Sequence, residues 1–138
     1  MGKKRIVIDT NVFISALGWG GKPNELIERV IDKEYELYSS IKQIKELKKV
    51  LDYPKLNFSE DEKKRILEKI YEIANIIDTK IEINAAEDPD DNMLLECAAE
   101  ADADCIISGD DDLRKLKKFK KVRIMSVGEF LKENELKQ

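Results

Sequence analysis

Two stretches of this chain end an apolar run on an acid. Ile6, Val7 and Ile8 lead into Asp9, followed by Thr10 and Asn11. About a hundred residues later, Cys105, Ile106 and Ile107 lead into Ser108, Gly109 and Asp110, with Asp111 and Asp112 behind. Between them lie Glu46, inside an apolar-periodic segment, and Asp91, at the start of another. Ligands in open α/β sheets bind at the carboxyl ends of the strands, so these carboxylates are expected to converge there. Clustered carboxylates with no base or thiol beside them suit hard divalent cations. The chemistry this points to is phosphodiester hydrolysis dependent on Mg²⁺ or Mn²⁺.

Electrostatics says what such a cluster must do. Two unit charges about 4 Å apart repel by roughly 4 kcal/mol at an effective dielectric near 20. Four gathered acids therefore take up protons or bind cations. Asp9 has Thr10 and Asn11 beside it as supporting polar groups; it also reads as the N-cap of the next helix, and the two roles are compatible. Ser108 and Asp110 repeat the pairing of hydroxyl and strand-end carboxylate. Asp110, Asp111 and Asp112 cannot all point inward, and Asp112, two residues from Asp110, is the second participant expected. Glu46 alone reads as a solvated helix residue and Asp91 alone as a helix cap. Their case needs the fold to bring them to the same strand edge.

The sequence contains no histidine. That removes Ser-His-Asp and Cys-His catalysis, histidine-ligated zinc and paired-imidazole ribonuclease chemistry. Cys97 and Cys105 are too few for a thiolate metal site and read as reduced core residues. Apolar residues make up 42% of the 138 and charged residues 39%, the composition of a folded chain with a heavily charged surface. No apolar run is long enough to cross a bilayer, and the basic start leads straight into a strand, so a cytoplasmic location is expected. The net charge of −4 is unevenly spread: residues 114–123 hold seven cations and no acid. Arg114, Lys115, Lys117 and Lys118 are candidates to hold a polyanion by its phosphates beside an acidic pocket; a solvated helix face and turn is the other reading of the run.

The elements that must position these groups alternate. Strands are expected at Lys4–Ile8, Tyr35–Ser39, Thr79–Ile83, Cys105–Ile107 and Val122–Met125. Helical spacing falls over Asn11–Leu17, ended by a mobile glycine loop from Gly18 to Gly21, and again after Pro23 and after the cap residue Ser40. Ser59 and Glu62 form a capping-box pattern opening a long helix through about Ile77. Further helices are expected from Asp91, over Asp112–Leu116, and after the cap residue Ser126. Strand–helix alternation predicts an α/β fold, a three-layer α/β/α sandwich around a mostly parallel sheet of four to five strands, in one domain spanning residues 1–138.

These segments resemble the PIN-domain ribonuclease family, and most of all its toxin components of toxin–antitoxin pairs. The resemblance rests on Asp9-Thr10-Asn11, Glu46-Leu47, Asp88-Pro89-Asp90-Asp91-Asn92 and Ser108-Gly109-Asp110-Asp111-Asp112-Leu113, in that order and spacing. It implies metal-binding roles for Asp9, Glu46, Asp91 and Asp110, a fifth for Asp112, and support from Thr10, Asn11 and Ser108. In the central segment Asp90 competes with Asp91; Asp91 is preferred because Leu94 and Ala98 then follow on the buried side. The resemblance further implies cleavage of single-stranded RNA by metal-activated water, leaving a 5′-phosphate and a 3′-hydroxyl. It also implies a homodimer and a small antitoxin protein that blocks the pocket. Aspartyl-phosphate phosphatases also place an acid after their first strand, but need a second acid where this chain has Asn11. An RNA- or protein-binding module with an inactive acidic pocket is the remaining alternative. Trp19 could stack on a base, or cover core or a dimer surface.

Overall fold

The structure, a computed structural model, describes residues 2–135. In chain order the elements are β1 (Arg5–Ile8), α1 (Thr10–Trp19), α2 (Lys22–Ile31), β2 (Glu36–Ser40), α3 (Ile41–Leu51), α4 (Glu60–Ile73) and β3 (Ala74–Ile77). Then follow α5 (Pro89–Glu100), β4 (Cys105–Ile107), α6 (Asp111–Arg114), β5 (Lys118–Phe119), β6 (Val122–Met125) and α7 (Val127–Glu133). The strands form one six-stranded sheet in the order β3-β2-β1-β4-β6-β5, parallel except for the β5–β6 hairpin.

Side chains alternate across a strand, and the alternation sorts the core into two layers. Ile6, Ile8, Leu37, Cys105, Ile107 and Met125 face the larger cluster, closed by α1, α2, α3, α4 and α7. Val7, Ile106 and Ile124 face the smaller one, closed mainly by α5 through Leu94, Leu95, Cys97 and Ala98. The two cysteines thus belong to opposite sides of the sheet. Both are free and buried, and burial pushes each thiol up to about 12.

The capping chemistry follows the sequence. Ser40 accepts from the Gln43 N–H, and Ser59–Glu62 and Ser126–Glu129 form reciprocal capping boxes. Three local expectations are corrected. α1 runs on through Gly18 and Trp19, because the chain breaks only where Gly20 and Gly21 adopt φ of 84° and 76°. Gly18 instead gives room to Phe58, whose ring would lie 2.9 Å from an added Cβ. α5 is capped by Asp88 rather than Asp91, since Pro89 fits the first helical position. α6 also begins one residue earlier than its spacing suggests, with Asp110 as its cap.

The largest correction concerns the third strand. It is Ala74–Ile77, taken from the end of the expected long helix, and it pairs in parallel with β2. Ile66, Ile70, Ile73 and Ile77 keep helical spacing, so periodicity alone does not reveal the change. Asn75 secures it by donating its side-chain amide to the Leu37 carbonyl at 3.1 Å. Thr79–Ile83, where the strand was expected, runs beside α5 without a ladder. There the Lys80 and Ile83 N–H groups donate to the carboxylates of Glu100 and Glu96 at 2.8 and 3.0 Å. The sixth strand, β5, is a two-residue edge inside the basic run, joined to β6 by a turn at Lys120 and Lys121. No helix among the described residues is long and apolar enough to cross a membrane.

Candidate metal centre

β1 and β4 lie side by side in parallel, with Ile8 opposite Ile107. Their chains therefore leave the sheet together. This is also where the strand order turns: β2 and β3 lie on one side of β1, β4 and β6 on the other. A crevice opens at such a switch point, and Asp9 and Asp110 stand at its edge.

One hydroxyl ties the two strand ends. Ser108 Oγ donates to Asp9 Oδ2 at 2.7 Å and accepts the Asp110 N–H at 3.0 Å. Asp9 Oδ1 accepts the Asn11 N–H at 3.3 Å, so Asp9 caps α1 and faces the crevice at once. Asp110 accepts the Asp112 N–H at 2.9 Å and caps α6. From the other side the start of α5 brings Asp88 and Asp91. Oxygens of Asp88, Asp91 and Asp110 lie within 4.8 Å of one another. Glu46, half-buried on α3, completes the pocket beside Asp90.

The resulting pocket, about 80 Å³, is lined by six carboxylates: Asp9, Glu46, Asp88, Asp90, Asp91 and Asp110. Among the described residues no lysine or arginine lines it. The acids respond as crowding demands. Asp91, 6% exposed, is pushed up to about 7 by burial and then by the charges of Asp110, Asp88 and Asp9. Burial also raises Asp9, against the lowering hydrogen bonds from Ser108 and Asn11. Glu46 is raised by burial and by the facing Asp90. The donors are oxygen alone, three of them gathered closely enough to surround one small ion, and the site favours positive charge. A divalent hard cation fits this set.

Of the residues singled out from sequence, Asp9, Glu46, Asp91 and Asp110 meet in this pocket, with Thr10 and Asn11 on its wall and Ser108 bridging behind it. Both competitors in the central segment line it: Asp91 is buried among the other acids, and exposed Asp90 faces Glu46. Asp112 stands apart, exposed, 3.4 Å from Lys115, and lines an adjoining depression instead. Arg114 pairs with Asp111 at the pocket's flank, while Lys117 and Lys118 are exposed where the chain enters β5. Trp19 is 64% exposed and packs on Phe58 with ring centroids 5.6 Å apart, beside a groove that shares no residue with the acidic pocket.

Two residues escaped the sequence reading. Asp88 looks like an ordinary cap before proline, and it is one, accepting the Asp90 N–H at 2.9 Å. Its cap geometry leaves the carboxylate beside Asp91 and Asp110. Gln43 is 1% exposed. Its side chain donates to the Ile8 carbonyl at 2.6 Å and to Thr10 Oγ1 at 3.5 Å, and accepts from Ser39 Oγ at 2.7 Å. The available signal was its place on the apolar stripe of α3, one turn ahead of Glu46.

The fold and pocket define a mixed α/β protein with an acidic centre at the sheet's switch point. The chain belongs to the PIN-domain family, whose domain it matches over residues 5–112. PIN domains are generally nucleases and typically use a divalent metal. The chain is also similar to an uncharacterised protein of Methanocaldococcus jannaschii, 34% identical over 119 residues that cover 83% of this chain and 76% of the relative.

Proposed function

We propose that the chain is a Mg²⁺- or Mn²⁺-dependent endoribonuclease that hydrolyses single-stranded RNA, and that it serves as the toxin of a toxin–antitoxin pair. The observation that carries the nuclease reading is the meeting of Asp88, Asp91 and Asp110 within 4.8 Å, beside Asp9 and with no lysine or arginine lining the pocket among the described residues. When bound, the divalent ion supplies Lewis-acid polarisation of the phosphodiester and activation of the attacking water.

The chain's own groups do the rest. Asp9, Asp88, Asp91 and Asp110 hold the cation, and Ser108 fixes the Asp9 carboxylate by its 2.7 Å hydrogen bond. Glu46 caps no helix among the described residues, which leaves its carboxylate available to orient water at the pocket's edge. Arg114, Lys115, Lys117 and Lys118 lie on the segment that follows Asp110 and engage the RNA backbone. The 138 residues act as one domain, in the cytoplasm and as a homodimer. The antitoxin inserts a basic side chain into the acidic pocket. The homodimer and the antitoxin rest on the motif resemblance, which is closest to toxin components.

The test is cleavage of single-stranded RNA by the purified protein. Degradation should require Mg²⁺ or Mn²⁺, stop with EDTA and leave 5′-phosphate ends. Asp9→Asn and Asp110→Asn should each abolish it while the melting temperature of the metal-free protein stays level or rises, because each removes a repelling charge. Full activity in both variants would sink the assignment.

A further inference from the structure

The acidic pocket is flanked by two unlike depressions. On one side a cleft of about 540 Å³ opens from Asp9 and Asp110, past Asn11 and Ser15, over Gly109 and Gly128, to Arg114. Beyond the two shared acids, no other carboxylate lines it among the described residues. Past Asp91 a second depression, of about 390 Å³, is lined by Glu87, Asp88, Asp91, Asp110 and Asp112, with no lysine or arginine lining it among the described residues. A polyanion crossing the metal centre meets a guanidinium on the first side and carboxylates on the second.

Arg114 stands on the wall of the first cleft, with only part of its guanidinium engaged. One terminal nitrogen is engaged by Asp111, which holds the guanidinium in place. Its Nε is buried without a hydrogen-bond partner, a group that leaves water only at a cost unless something accepts from it. A planar guanidinium with spare N–H groups matches phosphate oxygens better than an ammonium does. The cleft also has room for a nucleotide, since small-molecule pockets run to roughly 300–1,000 Å³.

We propose that this cleft is a nucleotide subsite that receives the RNA strand on one side only of the scissile phosphate, with Arg114 holding the neighbouring phosphate. The proposal rests on the nuclease reading and adds to it a direction: nucleotides on the Arg114 side contribute binding, and those on the Glu87–Asp112 side do not. Gly128 offers an independent probe, because a Cβ there would come no closer than 3.9 Å to Ser126 Oγ. A side chain can enter the cleft from this position without disturbing the fold.

The experiment uses single-stranded RNA oligonucleotides with one cleavable linkage, lengthened by one to three nucleotides on either side. Cleavage is followed in Mn²⁺, and binding by fluorescence anisotropy in Ca²⁺. Lengthening on one side should raise kcat/KM and lengthening on the other should not. Arg114→Ala should abolish that gain, weaken binding about tenfold and lower the slope of log Kd against log salt by about 1. Gly128→Glu should weaken binding at least as much, and Lys69→Ala, on the groove beside Phe58, should change nothing. Equal gains on both sides, or full binding by both cleft variants while Asp9→Asn still abolishes cleavage, would overturn the subsite and leave the nuclease reading standing. If the unaltered protein neither binds nor cleaves any of the oligonucleotides, both fall together.

Discussion

The side-chain amide of Gln43 donates to the carbonyl of Ile8 at 2.6 Å, one residue before Asp9. The same side chain receives Ser39 Oγ from β2, and its backbone N–H is capped by Ser40 Oγ at 3.1 Å. One buried amide thereby fixes the start of α3 against the ends of β1 and β2. Glu46, three residues further along α3, takes its position relative to Asp9 from that contact. Gln43→Leu leaves the Ile8 carbonyl and Ser39 hydroxyl without this partner, and should cost about 1–3 kcal/mol of stability. Because the amide holds the strand end that leads into Asp9, an acid proposed to bind the metal, Mn²⁺ affinity should fall roughly 10- to 100-fold. Denaturant unfolding and calorimetric Mn²⁺ titration measure the two effects separately. Lost stability with unchanged Mn²⁺ affinity would reduce Gln43 to packing.

Asp91 makes the metal-free protein sensitive to pH. Burial and neighbouring carboxylates raise it to about 7, whereas in the unfolded chain it titrates near 4. The folded state therefore keeps a proton that the unfolded chain releases. The stabilisation is fully present below about pH 4 and is lost as pH rises through 7, amounting to on the order of 4 kcal/mol across that window. In EDTA, the melting temperature of the unaltered protein relative to Asp91→Asn should fall between pH 4 and 8. Saturating Mn²⁺ at pH 7.5 should offset much of the loss, adding about 2.7 kcal/mol at a hundredfold excess over Kd. A difference independent of pH would mean that Asp91 titrates normally.

Glu96 is the clamp on the irregular segment before α5. It is 7% exposed; one oxygen accepts from Lys42 Nζ at 2.9 Å and the other from the Ile83 N–H at 3.0 Å. Glu96→Ala leaves a buried N–H unpaired and should cost roughly 2–3 kcal/mol. It should also loosen residues 78–88, and with them Asp88. Hydrogen exchange in that segment should quicken and Mn²⁺ affinity should drop. Glu100→Ala, at an exposed contact, should do much less. Equal behaviour of the two variants would count against the clamp.

The sequence was most informative where one residue type served one demand. Asp9 and Asp110 were legible, although each caps a helix, because both follow an apolar strand and sit close to a hydroxyl residue. Asp88 was hidden because capping a helix that starts with Pro89 explains it fully. Gln43 was hidden for the opposite reason: a polar residue on a helix suggests solvent, and only tertiary structure shows the strand end above it. Strand β3 was misplaced because isoleucines at helical spacing run across the junction at Ala74. The switch to strand is decided by pairing with β2, which local pattern cannot see. The β5 hairpin lay concealed in lysines, a composition that suits an exposed sheet edge.

The placement of the two thiols has a consequence for which ions the protein can hold. A thiolate is what a soft metal seeks, and Cys97 and Cys105 lie within separate layers of the core, raised to about 12 and so uncharged at any ordinary pH. With imidazole missing from the sequence altogether, the acidic pocket offers zinc or cadmium, among the described residues, only the oxygens it would offer magnesium, without the soft ligand that would favour them.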